Sequence, residues 1–199
     1  PTGDVLGIPE AAMDGDGFGM AANIGGVAAA GVEPQRVDSS DGAYVTDETP
    51  VAEPTYHARF AFNPNAALSP DGAEIVLFHG QDAGGATVFR VEYRRLEADE
   101  EIYQVRGVVM TAAGEQTTGW VDVDDNGTTF IEIAWESGTN TSFALYVDNW
   151  PEETLAGLDT SAYTVETVHL GPSGGSGLAG DGVGWVRLDV FESTRYTVI

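Results

Sequence analysis

The sequence predicts an all-β fold, a sandwich or a barrel, and three observations carry that expectation. Four consecutive segments, Thr55 to Asn65, Ala73 to Gly80, Thr87 to Arg95 and Ile102 to Ala112, have strand length and are rich in β-branched and aromatic residues. Turn-forming or charged stretches separate them, and the same cadence runs to the end of the chain. No long window repeats its apolar residues with a helical period of 3.6, which argues against helices and βαβ units.

Taken in order, residues 1 to 42 are rich in Gly and Ala and weakly patterned, with Met20 to Gly31 reading as one strand followed by a small-residue loop and Pro34 to Gly42 as a turn cluster. A short strand is expected at Ala43 to Glu48, then a proline-bounded connection. In the next strand Tyr56, Ala58, Phe60 and Phe62 share one face while His57, Arg59 and Ala61 share the other. Leu96 to Glu101 reads as a charged, solvated hairpin loop. Later strands are expected at Thr117 to Val123, Thr128 to Trp135, Ser142 to Asp148, Tyr163 to Gly171 and Val183 to Thr194, with Gly171 to Gly182 a flexible loop. Asp125-Asn126-Gly127, between two alternating runs, is a strong hairpin signal.

With 199 residues, 42% hydrophobic, the chain can bury a substantial core as one domain over residues 1 to 199. It carries 32 acidic residues against 8 basic ones, all of them Arg, for a net charge of -24. Such a surface repels nucleic acid and anionic lipid, so neither is expected as a partner. Two causes fit the charge: adaptation to high salt, where screening relieves self-repulsion, and calcium binding by clustered carboxylates. Cysteine is absent, which removes disulfides, thiolate nucleophiles and Cys-based zinc sites. Apolar runs fall short of a membrane span, no signal peptide is recognisable, and Pro1 reads as the start of a processed chain.

Phe143 to Asp159, followed by Val165 to Gly175, resembles the hairpin of laminin-G-like domains: a strand ending in a Tyr-Val-Asp turn, a second ending in a Leu-x-x-Leu-Asp type stretch, then a strand closing in Leu-Gly. Ala43 to Asn65, Ile75 to Arg94 and the closing Trp185 to Thr194 are similar to the matching segments of such modules in secreted bacterial proteins. The resemblance spans roughly residues 17 to 195 and implies an antiparallel two-sheet β-sandwich, a concanavalin A-like jelly roll. It implies an extracellular or cell-surface location without naming an activity, because this fold hosts lectins, glycosidases, lyases and structural modules. Two departures stand out. Asp148-Asn149 replaces the usual Asp-Gly and precedes Trp150-Pro151, which predicts a turn longer than two residues. Ala134 stands where an acidic residue is expected in the Glu132 to Trp135 strand.

Candidate sites follow. Glu132, Ala134 and Glu136 resemble the Glu-x-Asp-x-Glu strand of jelly-roll glucanases, but Ala134 cannot supply the central acid, so the series reads as a solvent-facing strand. Asp122, Asp124, Asn126 and Gly127 open like an EF-hand loop, yet position twelve is Ile133 and the hairpin reading prevails. The jelly-roll resemblance implies one structural calcium ion, with Asp189 as the best single ligand and Asp14 or Asp16 as partners. His57, His79 and His169 lie on three separate strands without a companion, so no zinc site or triad is expected of them. Trp120, Trp135 and Trp185 read as core anchors, whereas Trp150 sits in a turn where an exposed indole can stack on a sugar or a partner protein. The leading expectation is a non-catalytic module contacting polysaccharide or a cell-surface protein. The alternatives are a self-assembling subunit of a surface layer or filament, and a polysaccharide-degrading glycosidase or lyase.

Overall fold

The computed structural model describes residues 20–23, 26–29, 44–48, 50–65, 69–97, 101–177 and 185–194. These form fourteen strands and no helix. The first sheet contains, in spatial order, β12 (Trp150–Asp159), β11 (Thr139–Val147), β10 (Thr129–Glu136), β4 (Thr55–Asn63), β14 (Trp185–Thr194), β1 (Met20–Asn23) and β2 (Gly26–Ala29). The second runs β3 (Val45–Asp47), β13 (Thr167–Gly174), β5 (Glu74–Gln81), β6 (Thr87–Leu96), β7 (Ile102–Thr111) and β8 (Gly114–Thr117), with β9 (Val121–Val123) also on β7. Every strand pair is antiparallel, and the alternation of the chain between sheets is that of a jelly-roll β-sandwich.

Period-two patterning explains the core. Tyr56, Ala58, Phe60 and Phe62 of β4 are fully buried in the core cluster, where the β4 rings meet those of β5 and β6 in the facing sheet. Aromatic rings tie the sheets together, with centroids 5.8 Å apart for Tyr56 and Phe89, 5.5 Å for Phe60 and Phe78, and 5.9 Å for Phe89 and Trp135. Each such side chain withdrawn from water contributes about 1.5–3 kcal/mol. Gly107 of β7 faces Phe143 of β11 so closely that a Cβ would collide with the ring. A side chain there would push the sheets apart.

Several expectations change. Met20 to Gly31 holds two short paired strands, with Asn23 opposite Gly26, instead of one. Thr117 to Val123 divides into the end of β8 and all of β9, because Thr118 turns to bond the Gly107 backbone. Strand β13 continues through Gly174, into the stretch read as a loop. Asn126-Gly127 makes a turn but not a hairpin: β9 pairs with β7 in the second sheet and β10 with β4 in the first, so the turn carries the chain across the sandwich. Conversely, Asp148-Asn149 is a two-residue turn with Val147 paired to Trp150. Its φ values of 51° and 69° are those of a primed hairpin turn, which Asp and Asn tolerate without glycine. Asp148 also accepts the Phe130 N–H at 2.8 Å.

A polar face on the second sheet is the candidate functional site

Side chains on alternate residues of the second sheet point away from the core, and register brings residues distant in sequence side by side. His169 of β13 stands directly opposite His79 of β5, which stands opposite Arg90 of β6, while Thr46 of β3 flanks His169 on the other side. The two imidazoles stack with centroids 4.5 Å apart and planes 6° from parallel. The Tyr44 ring meets His169 edge-on at 4.5 Å. His79 Nδ1 lies 2.9 Å from Ser173 Oγ, and His169 is bracketed by Thr46 Oγ1 at 3.3 Å from Nδ1 and Gln81 Oε1 at 3.2 Å from Nε2. In this amide assignment Gln81 Oε1 only accepts, so neutral His169 carries its proton on Nε2 and accepts from Thr46 on Nδ1.

Burial sets the charge of this row. His79 is only 8% exposed, and loss of hydration, then the neighbouring His169 and Arg90, lowers its pKa to about 4. Burial also lowers His169, partly opposed by Glu48. Both rings are therefore neutral near pH 7.

Beside the histidines lies an ion network. Glu92, buried on this outer face, accepts Arg90 Nε at 2.6 Å and Arg106 Nε at 2.7 Å. Arg90 forks onto both oxygens of Glu115 at 2.8 and 2.9 Å, and Arg106 reaches Glu74 at 2.9 Å. Arg94 donates twice to Gln104 Oε1, whose amide passes the contact on to Asp122 at 2.7 Å. The Trp120 ring has guanidinium carbons of Arg94 and Arg106 at 4.1 and 4.4 Å from its centroid. Trp120 is thus a half-buried cation partner, not the core anchor expected from sequence.

The residues singled out from sequence are scattered. Trp150 is 72% exposed at the tip of the β11–β12 hairpin, as its turn position implied. Trp135 is a core residue. Glu132 is not solvent-facing: β10 lies between β4 and β11, and at 3% exposure the carboxylate is covered, with Arg59 and Tyr146 opposite it in the adjoining strands. Glu136 is exposed on the same strand. Asp124 accepts the N–H groups of Asn126 and Gly127, which hold its pKa low, so this carboxylate shapes the turn. Asp189 accepts the Val190 N–H at 2.7 Å within a strand irregularity, and Asp14 and Asp16 lie outside the described residues. Among the described residues no group of three or more His, Asp or Glu side chains is placed to hold a metal ion. A 560 Å³ cleft lined by small residues, among them Ala112, Ala156 and Gly157, contains none of the singled-out residues and no titratable cluster.

The sequence carried one overlooked signal. His79 and Gln81 sit two apart on one strand and His169 on another, but only the β5–β13 register makes them neighbours.

No family model matches the chain, and no curated protein matches it in sequence. Among solved structures it is similar to a polysaccharide lyase family 18 protein (12% identity, TM-score 0.54, 93% of this chain and 90% of the other). It is also similar to an alginate lyase from Pseudomonas aeruginosa (12%, 0.54, 91% and 83%). A heptameric SAP-like pentraxin from Limulus polyphemus aligns as well (11%, 0.56, 88% and 75%). At these identities the likeness speaks for fold, and the fold is the all-β, two-sheet jelly-roll type consistent with a concanavalin A-like sandwich.

Proposed function

We propose that the chain is a non-catalytic, laminin-G-like module that contacts carbohydrate at the outer face of its second sheet, in an extracellular or cell-surface setting. The observation that supports this most directly is the row Thr46, His169, Gln81, His79 and Ser173. It offers neutral donors and acceptors, locked by mutual hydrogen bonds, on a sheet face edged by the Tyr44 ring. Preorganised polar groups beside an aromatic surface suit sugar hydroxyls, since little side-chain freedom remains to be lost on binding. Trp150 offers a second, separate contact for a glycan or protein partner. Asp189 is proposed as one ligand of a structural calcium ion. The test is calorimetric titration with glycans of several linkages, comparing the unaltered chain with Ser173→Ala and Gln81→Ala. Saturable binding weakened by either substitution supports the reading; binding indifferent to both overturns it.

A second reading, polysaccharide cleavage, is favoured by one observation: a neutral imidazole hydrogen-bonded to a serine hydroxyl on an outward face. Such a ring can accept a proton. Release of new reducing ends or unsaturated products by the purified protein, abolished in His79→Ala, would establish this reading in place of the first.

A further inference from the structure

We infer that the outer face of the second sheet selects neutral, hydroxyl-rich glycans and rejects polyuronates, an inference that rests on the carbohydrate reading above. An anionic polysaccharide needs guanidinium or ammonium groups free to receive its carboxylates. Here the guanidiniums are already engaged. Arg90 is held by Glu92 and Glu115, Arg106 by Glu92 and Glu74, and Arg94 by Gln104 and the Trp120 ring.

To bind a uronate, Arg90 or Arg106 would have to exchange a carboxylate already at 2.6–2.9 Å for another, with no net gain in hydrogen bonds, and Arg94, whose partners are the neutral Gln104 amide and the Trp120 ring, would have to give up the Gln104 oxygen at 2.8–2.9 Å. The displaced carboxylate would then stand unpaired beside the incoming one. Four carboxylates, Glu74, Glu92, Glu115 and Asp122, belong to this network against three guanidiniums, so the network itself is net negative. The histidines supply no compensating charge, because burial keeps both neutral near pH 7. The field of a chain with net charge -24 adds a longer-range repulsion that salt screens. What remains for a ligand is the capacity that the row does not spend on its own bonds, the Gln81 amide NH2 and the remaining lone pairs of the Thr46 and Ser173 hydroxyls, which the imidazoles hold in place and whose chemistry matches sugar hydroxyls.

The experiment is calorimetric titration of the whole chain with neutral glucan oligosaccharides and with oligoalginates of matched length, at low salt and at roughly 1 M NaCl. Neutral oligosaccharides are expected to bind at least about tenfold more tightly than oligoalginates at low salt, with a gap that narrows as salt rises. His169→Ala and Gln81→Ala are expected to weaken the neutral ligand about tenfold or more while leaving the guanidinium network intact. Should His169→Ala fail to fold, His169→Gln and Ser173→Ala probe the same row. Oligoalginate binding that is the tighter of the two and falls as salt is added overturns the inference but leaves carbohydrate recognition standing. Absence of binding to either class overturns carbohydrate recognition itself. Neutral-glycan binding indifferent to the substitutions removes the ligand from this face and overturns the inference.

Discussion

Replacing Glu92 by Gln tests how the second sheet tolerates charge on its outer face. The Glu92 side chain is 5% exposed and binds Arg90 and Arg106 with its two oxygens, at 2.6 and 2.7 Å between the heavy atoms. Glutamine keeps one oxygen acceptor and turns an NH2 donor toward the other guanidinium, so one charge-assisted bond is lost and a donor faces a donor. Charge-assisted bonds contribute about 1.5–3 kcal/mol each, and stripping one partner from a buried pair costs about 3–5 kcal/mol. Both guanidiniums are 19% exposed and retain Glu115 and Glu74, which argues for the lower part of that range. The expected loss is about 2–4 kcal/mol. Urea denaturation should show an earlier midpoint with an unchanged slope, and melting should fall by about 4–16 °C for a chain of this size. Glu115→Gln is the internal control: its side chain is 42% exposed, and the pair should be worth under about 1 kcal/mol. Equal effects of the two substitutions would refute the reasoning, since burial would then have no part in the outcome.

Gly175 has φ of 104°, and a Cβ there would collide with the Glu74 carbonyl, so Gly175→Ala should destabilise the chain by more than about 2 kcal/mol in the same assay. Acid should weaken the fold through His79. Its folded pKa of about 4 lies below the unfolded value of 6.5, so the unfolded chain binds the extra proton, and stability is full above about pH 6.5 and falls toward pH 4. The loss amounts to roughly 3 kcal/mol, and His79→Gln should flatten that limb of the stability curve. Melting temperature should rise from low salt to roughly 1 M NaCl as carboxylate repulsion is screened; a further rise with millimolar calcium, absent in Asp189→Asn, is expected of the proposed ion site, and no such rise would remove it. Trp150→Ala should weaken binding of a glycan or protein partner by about 1 kcal/mol or more while changing stability by less than about 1 kcal/mol, because the indole is 72% exposed. Unaltered affinity would return Trp150 to an incidental turn.

The strands were readable because their cause is local. Tyr56, Ala58, Phe60 and Phe62 alternate with His57, Arg59 and Ala61, and the pleat puts the two sets on opposite faces of the strand, so the aromatic set is the one turned to the core. The sandwich follows from many such segments and no helical period. Pairing is a different matter, because a strand's alternation says which side is buried but not which strand lies beside it. Asn126-Gly127 therefore announced a change of direction truthfully and its topology wrongly: the Asp124 carboxylate caps a bend there, yet β9 and β10 satisfy their ladders in different sheets. Glu132 shows the same limit, since only its place between two neighbouring strands covers a carboxylate that alternation alone assigns to the outside. His79 and His169 are ninety positions apart, and nothing near either one encodes the other. Composition and patterning by themselves determined the acidic surface, the all-β class and the exposure of Trp150. Only the tertiary structure decided the stacked imidazoles, their neutral state and the closed guanidinium network, because hydrogen-bond register and burial are properties of pairs of strands and arise once the sheets have assembled.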